Sequence, residues 1–216
     1  MKLYFKDILT IIFILIVSGQ ILSAAPEYQC PYGYVKIEKD VTINVGGTYC
    51  QYHIYLCVLC PAGPAAPQFT IKLVQFEPSP INCGFNPSDA KDAIELLILN
   101  PTWISQNIAT DCFAGWGPCP ENAVILYGVV PKCWSKVGYR DDENIWRVTI
   151  IACDPIENCD CTTVYSVCWD PQLQDFTKTI ISYPNNYNCC PFTEIPADPE
   201  ENDETPTGCF YLPCSQ

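Results

Sequence analysis

Sixteen cysteines in a chain of 216 residues constrain this fold more than any other feature of the sequence. Their number is even, and an even set in an exported chain predicts disulfides, because export places thiols in an oxidising compartment. Each bridge contributes roughly 2–4 kcal/mol, mainly by restricting the unfolded chain. We therefore predict that all of them are structural disulfide residues: Cys30, Cys50, Cys57, Cys60, Cys83, Cys112, Cys119, Cys133, Cys153, Cys159, Cys161, Cys168, Cys189, Cys190, Cys209 and Cys214.

The first residues have the pattern of a secretory leader. Lys2 and Lys6 precede the apolar run ILTIIFILIV, and the following stretch SGQILSAAP ends in small residues. This order is typical of a cleaved signal peptide, and the run is shorter than the roughly 20 residues of a membrane span. We predict a signal peptide over residues 1–24 and a disulfide-rich extracellular region over residues 25–216, with no membrane span after cleavage. The mature chain is expected to be secreted, or held at the cell surface or in the periplasm. An uncleaved anchor is the alternative.

The charge balance excludes nucleic acid as a partner. The chain has 24 acidic and 11 basic side chains, which give a formal net charge of −13. Nucleic-acid binders need a clustered basic surface, and the basic residues here are scattered. An extracellular protein or a glycan is the partner class that this surface leaves open.

Alternating apolar and polar residues predict a mostly antiparallel β protein. Gly46 and Gly47 supply a two-residue hairpin turn after a strand whose apolar face holds Val41, Ile43 and Val45. In the returning strand, period-two alternation separates Cys50, Tyr52, Ile54, Leu56 and Val58 from Gln51, His53, Tyr55 and Cys57. Further strands are predicted in FTIKLVQF, AVILYGVV, NIWRVTIIAC, TTVYSVCW and FTKTIISY.

The segment NPSDAKDAIELLILNP predicts a helix. Asn86 is a good N-cap and Pro87 suits the first helical position. The expected buried stripe is Ala90, Ala93, Ile94 and Leu97, and the helix should end near Leu99, before the next proline. A second helical turn is expected from Trp103 to Ile108. The fold class is therefore α+β, mostly antiparallel β with one or two short helices in a segment over residues 86–110, and disulfide-rich.

Two segments follow a similar order, which indicates a duplicated three-stranded unit. Residues 41–83 and 148–189 both begin with Val-Thr-Ile, continue with a Cys-x6-Cys strand and a Phe-Thr strand, and end at a cysteine. The interruptions between Val-Thr-Ile and the cysteine pair differ in length by four residues. Chance similarity between β-strands rich in Thr and Val is the alternative.

The cysteine motifs favour structure over redox or metal chemistry. Cys57-Val-Leu-Cys60 lacks the helix N-terminus that lowers a thiol pKa in redox Cys-x-x-Cys motifs. A zinc site joining this pair to Cys159 and Cys161 would need reduced sulfur, and only one pair has the usual spacing. We predict two structural cysteines with separate partners, and no metal or cofactor.

Acid–base residues give no clear enzyme signature. His53 is the single histidine, no Gly-x-Ser-x-Gly or His-Glu-x-x-His motif occurs, and no catalytic residue is assigned. A pair of carboxylates suffices for glycoside hydrolysis, so a carboxylate-dependent hydrolase stays open. The acidic, Pro-rich stretch FTEIPADPEENDETPTG lacks the ligand spacing of a strong calcium site and is expected to be a solvated loop.

Aromatic residues offer the remaining candidates for recognition. Trp134 and Trp169 each follow a cysteine and are expected to pack in the core. Tyr49, Tyr52 and Tyr55 cluster on the first hairpin, and we expect Tyr52 or Tyr55 to meet solvent because they lie on opposite faces. Rigid amphipathic rings suit the recognition of proteins or sugars.

The segments CPYGYVKIEKDVTINVGGTYCQYHIYLCVLC, CWSK and CTTVYSVCWDP resemble a group of secreted cysteine-rich bacterial proteins. The resemblance covers about half of the chain and rests on cysteine placement. It implies export and disulfides and carries no activity with it. We therefore expect a secreted, non-catalytic binding or adhesion module, with a carbohydrate-directed hydrolase or a protease inhibitor acting through the loop PAGPAAPQ as alternatives.

Overall fold

The computed structural model describes residues 26, 28–45, 47–61, 68–79, 86–108, 116–153, 159–184 and 187–215. The predicted leader and the inhibitor loop at residues 62–67 lie outside the described residues, as do Cys83 and Cys112. No helix in the described part of the chain has the length and apolar character that a bilayer crossing requires.

The described residues form nine strands and two helices, which confirms the α+β class. The strands are β1 Val35–Val45, β2 Thr48–Leu59, β3 Gln68–Pro78, β4 Val124–Pro131, β5 Cys133–Arg140, β6 Trp146–Ala152, β7 Asp160–Asp170, β8 Asp175–Ser182 and β9 Phe210–Tyr211. The helices are α1 Pro87–Ile98 and α2 Pro101–Asn107.

The sheet forks at β3. Strand β2 pairs along one edge of β3, while the other edge pairs with parallel β4 at Gln68–Lys72 and with antiparallel β6 at Gln75–Phe76. From this point the strands continue as two branches, β4–β7–β8 and β6–β5–β9. We call them the β4 branch and the β6 branch. Lys72, at the fork, forms a 3.1 Å ion pair with Asp160 at the start of β7.

The main core lies on the sheet face that packs against the helices. Residues of β3 such as Phe69 and Ile71 are fully buried there, together with Ile94 and Ile98 of α1. The predicted faces of the first hairpin are confirmed: Cys50, Tyr52, Ile54, Leu56 and Val58 belong to this core. On the opposite face Tyr55, Cys57 and Val74 pack with Tyr28, Cys30 and Tyr34 of the N-terminal segment.

The helix caps follow the sequence, whereas the buried stripe of α1 differs from the prediction. The Asn86 side chain accepts from the Ser88 N–H at 3.0 Å, and Asn100 accepts from the Thr102 N–H at 2.9 Å. Ala90 and Ile94 are buried as predicted. Lys91 and Glu95 are buried as well, because each has an oppositely charged partner.

Strand β5 was not predicted, because Ser135, Lys136, Gly138 and Arg140 weaken its strand signal. Gly138 provides the space that the Trp146 indole of β6 fills, since a Cβ there would lie 2.1 Å from Cζ2 of that ring. Trp134 is fully buried as expected, with its ring centroid 5.2 Å from that of Phe76. Tertiary partners therefore stabilise a strand that local propensity disfavours.

The two segments proposed as a duplication share part of their pairing. In the first, β1, β2 and β3 form an antiparallel meander. In the second, β7 and β8 form an antiparallel hairpin, while β6 pairs with β3 and β5 instead of β7. The duplication of a three-stranded unit stays a prediction.

Disulfides join the two branches of the sheet beside the fork. Cys161 of β7 is bonded to Cys214, which follows β9, so this bridge connects the β4 branch with the β6 branch. Cys133 at the start of β5 and Cys159 before β7 are bonded to the neighbouring residues Cys190 and Cys189. The other described pairs are Cys30–Cys57, Cys119–Cys168 and Cys153–Cys209. Cys50 and Cys60 are also disulfide-bonded, and no described cysteine is free.

Candidate functional site

A groove of about 280 Å³ lies between the C-terminal half of α1 and the β7–β8 hairpin. We call it the β8 groove. Its walls include Leu96 and Tyr183, which are 70% and 72% exposed, and Ile180 of β8. Several large apolar side chains exposed around one concavity are typical of interaction sites.

The register of the β7–β8 hairpin positions the strand side of the groove. Tyr165 is paired with Ile180, and Val167 is paired with Lys178. Residues directly opposite each other on antiparallel strands project from the same face of the sheet. Lys178 reaches across to α1, where its ammonium donates to the Leu99 carbonyl at 3.2 Å. The helix end and the hairpin are thereby linked along the groove.

The groove contains a partly desolvated cation. Lys178 Nζ lies 4.6 Å from the centroid of the Tyr165 ring, and burial lowers the pKa of this lysine. Burial, followed by the charge of Glu95, raises the pKa of Tyr165. The site therefore offers a hydrogen-bond donor beside an aromatic ring, within apolar walls.

A buried charge cluster closes one end of the groove. The Lys91 ammonium lies 2.7 Å from a carboxylate oxygen of Asp92 and 3.5 Å from one of Glu95. The Ser215 hydroxyl lies 2.6 Å from Glu95 Oε2 and accepts from Lys91 at 3.3 Å. The Lys91 ammonium and the Glu95 carboxylate thus both contact the Ser215 hydroxyl. The cluster therefore holds the C-terminal segment against α1.

Strand β8 forms one end of the β4 branch and presents its outer edge. Every one of its eight residues except Phe176 is exposed. Within the described part of the chain, β8 pairs with β7 alone. Such an edge carries alternating N–H and C=O groups that can pair with another extended chain. The edge and the groove lie next to each other.

A second polar cluster crosses the opposite face of the sheet. Asp40, His53 and Glu77 are register partners on β1, β2 and β3. His53 Nδ1 lies 2.7 Å from Asp40 Oδ1, and the Tyr139 hydroxyl donates to Glu77 Oε2 at 2.8 Å. We call these four residues the His53 row.

The His53 row holds a carboxyl group that resists ionisation. Burial raises the pKa of Glu77, even though the Tyr139 hydrogen bond and the charge of His53 both favour its anion. A carboxyl with a raised pKa is suited to donate a proton. Neither the β8 groove nor the loop cavity described next is lined by residues of this row.

A larger cavity of about 610 Å³ is lined by residues 191–197 and Gly208. Phe192 and Ile195 on this loop are 56% and 40% exposed. Since one loop supplies nearly all of its lining, this cavity lacks the helix and strand walls that define the β8 groove. We therefore take the β8 groove as the stronger candidate binding site.

The structure separates the cysteines that sequence motifs grouped together. Cys57 is bonded to Cys30, Cys161 to Cys214 and Cys159 to Cys189. Instead, the sulfurs of Cys133, Cys159, Cys189 and Cys190 lie together, a set that no sequence spacing indicated.

The tyrosine prediction was wrong for the first hairpin. Tyr52 is 1% exposed and Tyr55 is 9% exposed, because each faces a core on its own side of the sheet. Tyr49, close to the turn, is exposed. The exposed aromatic residue that borders the β8 groove is Tyr183. The sequence pattern did not distinguish it from the other tyrosines.

Comparison with protein-family models, with curated proteins and with solved structures finds no match to this chain.

Proposed function

We propose that this chain is an exported, non-catalytic binding module that takes up an extended polypeptide segment along the edge of β8. The observation that carries the proposal is the adjacency of an open strand edge to the β8 groove. Main-chain hydrogen bonds to the edge supply affinity, and alternate side chains of the ligand enter the groove. Disulfides keep this surface rigid, which lowers the entropic cost of binding.

The charge of the chain favours a basic ligand. A formal net charge of −13 attracts cationic segments over long range and opposes the pairing of two copies of the chain. Within the groove, Leu96, Ile180 and Tyr183 provide apolar contacts. The expected ligand is therefore an extended peptide that alternates apolar and basic residues.

Titration calorimetry of the oxidised protein with an eight-residue peptide of alternating Ile and Lys tests this proposal. We expect saturable binding that is lost when alternate peptide amides are N-methylated, because methylation removes the main-chain donors. The variants Ile180→Asn and Tyr183→Ala should weaken binding at least about tenfold, equivalent to about 1.4 kcal/mol. Leu173→Asn is the matched control, since Leu173 is 70% exposed in the turn after β7 and outside the groove.

Three results would contradict the proposal. The first is equal affinity for the methylated and unmethylated peptides. The second is a glycan that binds in the same groove in preference to any peptide. The third is a concentration-dependent dimer whose formation requires Ile180, since the occupant would then be a second copy of the chain.

A carbohydrate-directed hydrolase is the second candidate, and the raised pKa of Glu77 favours it. In that mechanism Glu77 would donate a proton to the leaving group, and Asp40 with His53 would activate water. Glu77→Gln and Asp40→Asn should each abolish turnover of a polysaccharide panel. Absence of turnover by the unmodified protein across that panel would rule out this candidate for the sugars tested.

A further inference from the structure

The sulfurs of two disulfides lie close enough to exchange partners. The Sγ atoms of Cys133, Cys159, Cys189 and Cys190 all lie within 4.8 Å of one another. We call them the sulfur quartet. The bonds present are Cys133–Cys190 and Cys159–Cys189, and the non-bonded sulfurs of Cys133 and Cys159 are 3.2 Å apart. Each disulfide therefore has a sulfur of the other within reach.

Backbone hydrogen bonds anchor the segments that carry Cys133 and Cys159. The Lys132 N–H donates to the Cys159 carbonyl at 3.0 Å, and the Cys153 N–H donates to the Cys133 carbonyl at 3.0 Å. Cys189 and Cys190 are neighbours in the chain. If one of the two disulfides were broken, the other would still tie Cys189 and Cys190 to the sheet.

Access differs among the four residues. Cys133 and Cys159 are 4% exposed, whereas Cys189 is half-buried and is the more accessible target for a thiolate. The Lys132 ammonium donates to the Tyr187 carbonyl at 3.3 Å, two residues before Cys189. Thiolates are the species that carry out exchange.

We propose that the sulfur quartet is a thiol–disulfide exchange site for a small-molecule thiolate, with a second pairing of Cys133–Cys159 and Cys189–Cys190. The thiolate attacks Cys189, forms a mixed disulfide and releases the Cys159 thiolate. Cys159 attacks Cys133, forms their bond and releases the Cys190 thiolate. Cys190 then attacks the mixed disulfide at Cys189, forms the vicinal bond and regenerates the small thiolate. The sequence is an isomerisation, with no net oxidation or reduction.

The second pairing would remove the two covalent links between residues 189–190 and the sheet. Residues 189 and 190 would no longer be bonded to β5 and to the start of β7, while Cys153–Cys209 would still hold the segment that leads into β9. The loop over residues 191–208 would keep its ion pairs with β5 and lose two covalent anchors. Exchange would thus alter the loop cavity without unfolding the sheet.

The variant Cys190→Ser tests the exchange directly, because it leaves one thiol at Cys133. We expect the Cys133 thiolate to attack the Cys159–Cys189 bond at Cys159, so that the free thiol moves to Cys189. Labelling with iodoacetamide, acid quenching and non-reducing peptide mapping should find the label on Cys189 as well as on Cys133. The matched control is Cys168→Ser, whose single thiol should stay on Cys119, the partner of Cys168 in the intact protein.

Label confined to Cys133 in Cys190→Ser would overturn the proposal. If that variant does not fold, the intact protein is incubated with reduced glutathione and mapped in the same way. The expected new species are peptides with Cys133–Cys159 and Cys189–Cys190 bonds, while Cys119–Cys168 and Cys153–Cys209 stay unchanged. Retention of the original bonds alone, or scrambling spread over all cysteines, would contradict a dedicated exchange site.

Discussion

The ammonium of Lys136 lies 2.7 Å from the Asp198 carboxylate and joins the acidic C-terminal loop to β5. The same ammonium donates to the Pro196 carbonyl at 2.7 Å. Further along this loop, Glu201 lies 2.7 Å from Arg140. The acidic stretch was expected to be a solvated loop. It lacks strands and helices between residues 193 and 209, but its carboxylates are partners for the basic residues of β5.

Replacing Lys136 should loosen this loop more than replacing its acidic partner. The Lys136 side chain is 6% exposed and Asp198 is 59% exposed. Lys136→Gln should lower the free energy of unfolding by about 1–3 kcal/mol, because buried carbonyl and charge contacts are lost. Asp198→Asn should cost at most about 1 kcal/mol, since the carboxylate is solvated. Guanidinium denaturation measures both changes, and Glu194→Gln on the same loop is the control. A larger cost for Asp198→Asn would contradict this order.

Gly138→Ala should be the most disruptive single methyl addition in β5. The new Cβ would lie 2.1 Å from Trp146 Cζ2 and 3.1 Å from the Asp203 carbonyl oxygen. Displacement of a packed indole by overpacking typically costs about 1–3 kcal/mol. A loss in that range, together with a change in near-ultraviolet circular dichroism from Trp146, is the expected result. Gly47→Ala tests a different effect, since Gly47 has a φ of 90° and open space around it. If the Gly138→Ala variant were as stable as the unmodified protein, Trp146 would not cover Gly138.

Glu77→Gln should stabilise the protein more at pH 7 than at pH 4. Burial raises the pKa of Glu77, so the stability associated with this group is present below its unfolded-state pKa and is lost as pH rises through its folded-state pKa. The neutral amide avoids that loss and can still accept from Tyr139. The groups facing Glu77 are His53, Tyr139, Thr149 and Arg147. Unfolding free energies measured between pH 4 and pH 7, with Glu204→Gln as a control, test the sign. If the stability difference between Glu77→Gln and the unmodified protein did not change with pH, a raised pKa of Glu77 would be refuted.

Ser215→Ala should detach the C-terminal segment from α1. Its hydroxyl lies 2.8 Å from Asp92 and 2.6 Å from Glu95, and it accepts from the buried Lys91. Loss of this hydroxyl should cost about 1–2 kcal/mol, since a partner in a buried charged network is removed. Ser182→Ala on exposed β8 is the control and should change stability by less than about 0.5 kcal/mol. Equal effects of the two variants would contradict a role for Ser215 in holding this segment.

Local signals predicted those parts of the fold that depend on nearby residues. The Asn86 cap, the pairing of Val45 with Thr48 and the alternating faces of β2 follow from positions that are close in sequence. Strand β5 was not predicted, because the partners of its lysine and arginine lie about 60 residues away in the acidic loop. Its glycine is explained by contact with the Trp146 indole on the neighbouring strand.

The candidate site could not be assembled from the sequence. The segments that form the β8 groove were predicted as a helix and as strands, but Leu96 and Ile180 are 84 residues apart. Only the sheet topology brings α1 against the β7–β8 hairpin. The buried pair Lys91 and Glu95 was missed for a related reason, since charged residues on a helix are usually exposed unless a partner is known.

Disulfides join the two branches of the forked sheet, and disulfide mapping of the native protein tests these links most directly. Non-reducing proteolysis with mass spectrometry should recover Cys161 bonded to Cys214, residues 189 and 190 bonded to the starts of β7 and β5, and no alkylatable thiol. Bridges confined within each branch, or several cysteines recovered as free or metal-bound thiols, would contradict these links.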